Sequence, residues 1–194
     1  MKLQLDRETK KEIILHLETG VVLALLIEFF WLIQKQPLIN FFLLWLALII
    51  GSFVLDLDHF LYWFFLYPKK EDSLRAKKLW QEKNLSAILK LLGEEYKTHT
   101  SLIFHHFYCQ LVLIILSIFI FTSTKSIFGR GLVLFLNLHL LVDQVNDFLT
   151  NPVHLKEWLF ARMNFALPEK FLKYYLALLG FVFLLLANSL IFYS

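Results

Sequence analysis

The sequence predicts an all-α fold, a polytopic membrane helix bundle of about five transmembrane helices. Three observations predict it. First, the 194 residues are 58% hydrophobic and 17% aromatic, with 21 Phe and a mean hydropathy of +0.62, whereas soluble domains run at about 45–50% apolar. Second, the apolar residues gather into stretches long enough to cross a bilayer, which takes about 20 residues. Third, the basic residues crowd into the connections on one side of those stretches. A soluble core could not hide this much apolar surface, so lipid is the solvent that fits. The chain reads as one membrane domain over 1–194, with no internal repeat and no Gly/Ser linker. Its single Cys109 excludes an internal disulfide.

The first span is expected at about 12–34. It contains Glu18 and Glu28 and lacks a small-residue cleavage site, so it reads as a retained helix rather than a secretory signal. The second, about 38–67, lies between Pro37 and Pro68, residues suited to helix boundaries. It is long for a span and must tilt, kink or extend beyond the lipid. The third is expected at about 101–122, the fourth at about 127–150 and the fifth at about 171–192. Between the second and third lies a charged segment, about 69–98. In it Asn84 is a candidate N-cap, and Leu85, Ile88, Leu89, Leu92 and Tyr96 recur at helical spacing. This predicts an amphipathic segment at the membrane surface, with a solvated helical hairpin as the alternative.

Orientation follows from the loops. Lys2, Arg7, Lys10 and Lys11, then Lys69, Lys70, Arg75, Lys77, Lys78, Lys83, Lys90 and Lys97, then Lys156, Arg162, Lys170 and Lys173 fall on one side. Only Lys35, Lys125 and Arg130 of the 19 basic residues fall on the other. The positive-inside rule predicts a multi-pass protein of the inner (plasma) membrane, with its N-terminus cytoplasmic and its C-terminus outside.

Ionisable residues inside spans are costly and point to function. With this topology His16 lies in the first turns of span one. His59 lies roughly 12 Å from the inner end of span two, and Asp143 about two turns from the inner end of span four. His105 falls within the first two turns of span three. Four segments therefore bring His or Asp to one depth in the cytoplasmic leaflet. His139 and Asp143 share a helix face, roughly 40° apart, and Asp56 and His59 lie roughly 60° apart. Asp58 lies on the far side of His59 from Asp56, so a regular helix does not aim both carboxylates at one ion. A local break near Gly51 to Leu55, or two ions, is required. His16, Asp56, Asp58, His59, His105, His139 and Asp143 are the candidate metal ligands. Mixed His and carboxylate donors suit zinc first, with manganese or iron as alternatives, rather than calcium or magnesium. A network of polar residues gluing helices together is the competing reading. His99, His106 and Asp147 read as residues around the ligands or at the interface, and Glu28 takes no role.

In these residues the chain resembles the YdjM-like family, described as LexA-binding, inner-membrane-associated, metal-dependent hydrolases. The resemblance runs in order from about residue 14 to 152. It is carried by His16-Leu-Glu-Thr-Gly20, Asp56-Leu-Asp-His59, a histidine in span three, His139-Leu-Leu-Val-Asp143 and Leu149-Thr-Asn-Pro152. The chain departs from the family pattern in having Leu55 before the first Asp, where Pro is usual, and in lacking the full His-Arg-Gly-x-Thr-His-Ser element. His99 and His105 both qualify as the matching histidine, and His105 is preferred for its depth.

The resemblance implies a metal-dependent hydrolase. Asp58 is then either a bridging ligand or the general base, and a site at leaflet depth suits a lipid or lipid-linked phosphoester. The alternatives are a metal-ion or proton transporter, which needs polar groups along its whole path, and a non-catalytic metal-binding scaffold. Membrane lipids are the expected partners. No helix-turn-helix or zinc-finger spacing occurs, so sequence-specific nucleic-acid binding is not expected.

Overall fold

The computed structural model describes residues 7–95, 98–161, 163–164 and 168–193. Lys2, Tyr96, Lys97 and Arg162, used above, lie outside the described residues, as do the side chains of Arg7 and Lys10. The described residues are helical and contain no strand. In chain order the helices are α1 (Arg7–Ile33), α2 (Leu38–Phe53), α3 (Leu57–Leu61), a π-helical turn (Tyr62–Leu66), α4 (Glu71–Gln81), α5 (Leu85–Glu95), α6 (Phe107–Ser123), α7 (Ile127–Thr150), α8 (Pro152–Leu159) and α9 (Glu169–Phe192). Four stretches are long and apolar enough to cross a membrane: Ile13–Ile33, Leu38–Leu66, Ile127–Thr150 and Lys170–Phe192. Phe107–Ser123 is a shorter apolar helix. These suggest a membrane protein built as an all-α bundle.

Helices α2 and α7 are the central pair. They approach closely because glycines face the contact: a Cβ on Gly51 would lie 2.6 Å from the Phe135 Cβ, and one on Gly131 would lie 3.0 Å from the Ala47 Cβ. Small residues let backbones approach where lipid supplies no hydrophobic drive between helices. Around this pair α1 contributes Ala24, Ile27 and Trp31, α9 contributes Leu186 and Leu190, and α6 contributes Phe121 to one core. The opposite faces carry exposed large apolar residues, among them Leu25, Phe29, Ile115, Phe119, Phe181 and Leu184. Exposed apolar surface on this scale fits lipid rather than water.

The ends of the bundle differ. At one end the Arg130 guanidinium donates to the Tyr193 carbonyl (2.9 Å) and the Phe121 carbonyl (3.0 Å), and Trp31 Nε1 donates to the Leu190 carbonyl (3.2 Å). A cation on unsatisfied helix C-terminal carbonyls is favourable. Arg130 is thus a buried cap on α6 and α9, whereas the sequence placed it simply among loop charges. At the other end, α4 and α5 form a hairpin. Lys83 turns it in the left-handed region (φ 55), and Asn84 caps α5 by accepting from the Ala87 amide (3.1 Å). Ile88 and Leu91 of α5 and Ala76 of α4 bury against Tyr62 and Trp63, docking the hairpin onto the end of the second span.

The third span differs from its expected start. Helix α6 begins at Phe107 rather than near residue 101. The reason is Asp58, whose carboxylate takes the Ile103 and Phe104 amides (3.0 and 2.5 Å) and so holds these residues in a non-helical approach to the bundle.

Candidate metal centre

The site forms where the second span breaks. Helix α2 ends at Phe53 and residues 54–56 turn. Across the turn the Leu57, Asp58 and His59 amides reach back three residues, to the carbonyls of Val54 (3.3 Å), Leu55 (3.0 Å) and Asp56 (3.1 Å). This tightened ladder realigns Asp56 and Asp58 relative to a regular helix. With the ladder broken, the Ser52 carbonyl meets His139 Nδ1 at 3.0 Å. The carbonyl can only accept, so Nδ1 carries the hydrogen, and on a neutral ring Nε2 presents a lone pair.

That lone pair faces anions. His139 Nε2 lies 3.3 Å from Asp143 Oδ2 and 3.5 Å from Asp56 Oδ1. The atom is buried, and these contacts do not meet hydrogen-bond geometry. A buried lone pair facing carboxylates needs a cation between them, either a proton or a metal ion. Two groups of donor atoms, each lying within 4.8 Å of one another, could hold a metal: His16 with His139 and Asp143, and Asp56 with His105 and His139. His139 belongs to both. Asp143 turns Oδ1 to His16 Nε2 (2.9 Å) and Oδ2 to His105 Nε2 (3.5 Å). The Asp56 and Asp143 side chains remain 45% and 27% exposed, so both face open space in the site.

Asp58 is fully buried behind these residues. Besides the two amides above, its carboxylate lies 3.4 Å from His105 Nδ1. A carboxylate behind the far nitrogen of a histidine fixes the ring and leaves the near nitrogen as donor atom. His59 is also buried and lies outside both groups; its ring centre is 6.2 Å from that of His105. Its Nδ1 meets His99 Nδ1 at 2.8 Å, and His99 Nε2 meets Asp72 Oδ2 at 2.9 Å. Trp63 Nε1 donates to the same Asp72 oxygen (2.9 Å). Burial favours neutral Asp72, but the His99 and Trp63 hydrogen bonds outweigh it and hold the carboxyl below its usual range. Burial pushes His99 below the usual histidine value, against the opposing pull of Asp72.

The candidate residues thus sort by place. His16, Asp56, His105, His139 and Asp143 converge. Asp58 stands behind His105, and His59 joins a separate chain through His99. His105 sits in the approach to α6 rather than on the helix. His106 caps α6 and meets the Ala161 carbonyl at 2.5 Å. Asp147 takes His154 Nδ1 and Trp158 Nε1, each at 2.7 Å. Sequence reasoning missed Asp72 and the Ser52 carbonyl. Asp72 is one acid in a charged segment, and no sequence signal marks which carbonyl a broken helix frees.

His16, Asp56, His105 and Asp143 open on a cavity of about 360 Å³, walled on its other sides by apolar residues that include Phe53, Leu57, Phe60, Leu89, Leu92 and Trp158. Comparisons with family models, curated proteins and solved structures return no match to this chain.

Proposed function

We propose that this protein is a membrane-embedded, metal-dependent hydrolase whose site opens at the cytoplasmic leaflet and acts on a lipid or lipid-linked phosphoester. The observation that carries the reading is His139 Nε2, a buried lone pair aimed at two carboxylates and shared by both groups of donor atoms. The donor set of imidazoles and carboxylates fits zinc, with manganese or iron next. Asp56, His105, His139 and Asp143 would hold the ion, with His16 beside Asp143. A divalent ion there would supply an acidified water and stabilise charge on a phosphoryl oxygen. Ser52 and Asp58 keep the His139 and His105 rings turned with their lone pairs inward. The apolar wall limits water in the cavity and suits an acyl or isoprenoid chain next to a polar headgroup. The YdjM-like resemblance supports the reaction class, and the basic residues at this end of the bundle support the cytoplasmic placement.

The deciding experiment measures metal bound to the full chain purified in mild detergent, after reconstitution with Zn²⁺ or Mn²⁺. Wild type is expected to retain about one ion or more per chain, and His139→Ala less than about a tenth of that. A wild-type protein that retains neither metal would sink the reading. Metal retention without turnover of phospholipid or isoprenoid phosphate substrates would leave a metal-binding scaffold, and metal flux into proteoliposomes would indicate a transporter.

A further inference from the structure

Outside the two groups of donor atoms, one set of polar side chains is built to a fixed geometry. It links the α4–α5 hairpin to the cavity through Asp72, His99 and His59. The His99 ring is held by aromatic neighbours. It stacks on Tyr62 (centres 4.0 Å apart, planes at 20°), meets Trp63 edge-on (5.5 Å, 89°), and its side chain is fully buried. Both of its nitrogens therefore point in set directions, one at Asp72 and one at His59.

The chemistry of the chain then dictates its hydrogens. An ionised carboxylate only accepts, so His99 Nε2 donates to Asp72. A neutral His99 then has a lone pair at Nδ1, and His59 Nδ1 must donate to it. His59 is left with its hydrogen on Nδ1 and its lone pair on Nε2. That nitrogen has no hydrogen-bond partner among the described residues, and His59 lines the cavity. Histidine in solution prefers neither nitrogen strongly enough to guarantee this form, so a partner has to select it.

We propose that Asp72 and His99 are positioning residues that lock His59 in its Nδ1–H tautomer, leaving the Nε2 lone pair on the cavity wall as a donor atom outside the two groups, open to a metal ion in the cavity. A residue of the hairpin thereby acts on a site inside the bundle. The lock itself does not depend on the metal; only the use of the lone pair rests on the reading of the cavity as a metal site.

The test uses the full chain, metal-free in detergent micelles, with ¹⁵N-labelled histidine rings assigned by His59→Gln and His99→Gln. Ring nitrogen shifts and couplings report the tautomer of each residue. Wild type is expected to show His99 protonated on Nε2 and His59 on Nδ1. A wild-type His59 protonated on Nε2, or a doubly protonated His99, would overturn the proposal without any variant. Asp72→Asn is expected to lose the single His59 tautomer and to weaken metal binding about 10–100-fold, while Asp72→Glu restores both. Trp63→Phe removes the other donor to Asp72 and is expected to leave the His59 tautomer unchanged, which separates the lock from simple packing. Asp72→Asn with wild-type tautomers and wild-type affinity would also overturn it. If the wild-type chain retains no metal, the hydrolase reading falls, while the spectrum still decides the lock.

Discussion

A neutral imidazole has two nitrogens and one ring hydrogen, so a partner on one nitrogen decides what the other can do. His139 is fixed by a backbone carbonyl and His105 by a carboxylate, two solutions to one orientation problem. Asp58 does a second job: it holds the backbone of residues 103–104, which places His105 at all. Its value is therefore structural even in the metal-free chain. A hydrogen bond to a buried charge contributes roughly 1.5–3 kcal/mol, and a buried amide left unpaired costs about as much again. Asp58→Ala is expected to lower stability by about 3 kcal/mol or more, and Asp58→Asn by less, because its amide oxygen still accepts. Unfolding of the metal-free protein in mixed detergent micelles measures this; equal midpoints for Asp58→Ala and wild type would contradict it. The sequence marks Asp58 as polar in a costly place and leaves its role open between ligand and base. Only the fold reveals the amides it serves, because Ile103 and Phe104 are apolar residues with nothing in their side chains to announce a backbone contact.

Among the elements, the broken second span and α7 determine the site together. Much of this was legible. Loop charges and apolar runs locate the spans, and two carboxylates pointing apart on a regular helix call for either a break near residues 51–55 or two ions; the structure shows a turn at residues 54–56, with Asp58 aimed at the amides of residues 103–104 instead. The non-helical start of the third span and the His99–Asp72 pairing were not legible, since both depend on contacts between distant segments rather than on periodicity. The α2–α7 contact allows a graded test. An added methyl at Gly51 would meet the Phe135 Cβ at 2.6 Å and its backbone carbon at 3.2 Å, neither of which is a flexible end. At Gly131 it would meet Ala47 at 3.0 Å, and at Gly180 nothing within 4 Å. Overpacking costs about 1–3 kcal/mol, while Ala in a helix gains up to about 1 kcal/mol over Gly. Gly51→Ala is expected to be clearly destabilising, Gly131→Ala milder, and Gly180→Ala neutral to slightly stabilising, read from unfolding midpoints. Gly51→Ala should also weaken metal retention, because Phe135 lies one helical turn before His139 and moving α7 loosens the Ser52 contact. Gly51→Ala as stable as Gly180→Ala would show that the helices separate at little cost.

At the scale of the whole molecule, the question is how many times the chain crosses. Helix α6 has 17 residues, about 26 Å, short of a hydrocarbon core of about 30 Å. Its contacts nevertheless run the length of the bundle. Phe107, at its start, packs with Phe160 and Tyr175 beside the site, and the Phe121 carbonyl, near its end, shares the Arg130 guanidinium with Tyr193 at the opposite end. A helix that turned back within one leaflet could not reach both. Five crossings would leave the termini on opposite sides. They would also put the hairpin, the connection before α9 and the start of α1 on one side, which is the side where the sequence gathers nearly all its basic residues. If α6 did not cross, α7 would be inverted, which would carry Lys156, Lys170 and Lys173 across and separate Asp143 from His16, now 2.9 Å away. A reporter active only in the cytoplasm is therefore expected to work when fused to the N-terminus, or inserted near Lys83 in the hairpin turn, and to stay silent when fused after Tyr193. A C-terminal fusion active in the cytoplasm would remove the fifth crossing and, with it, the placement of the His and Asp residues at one depth.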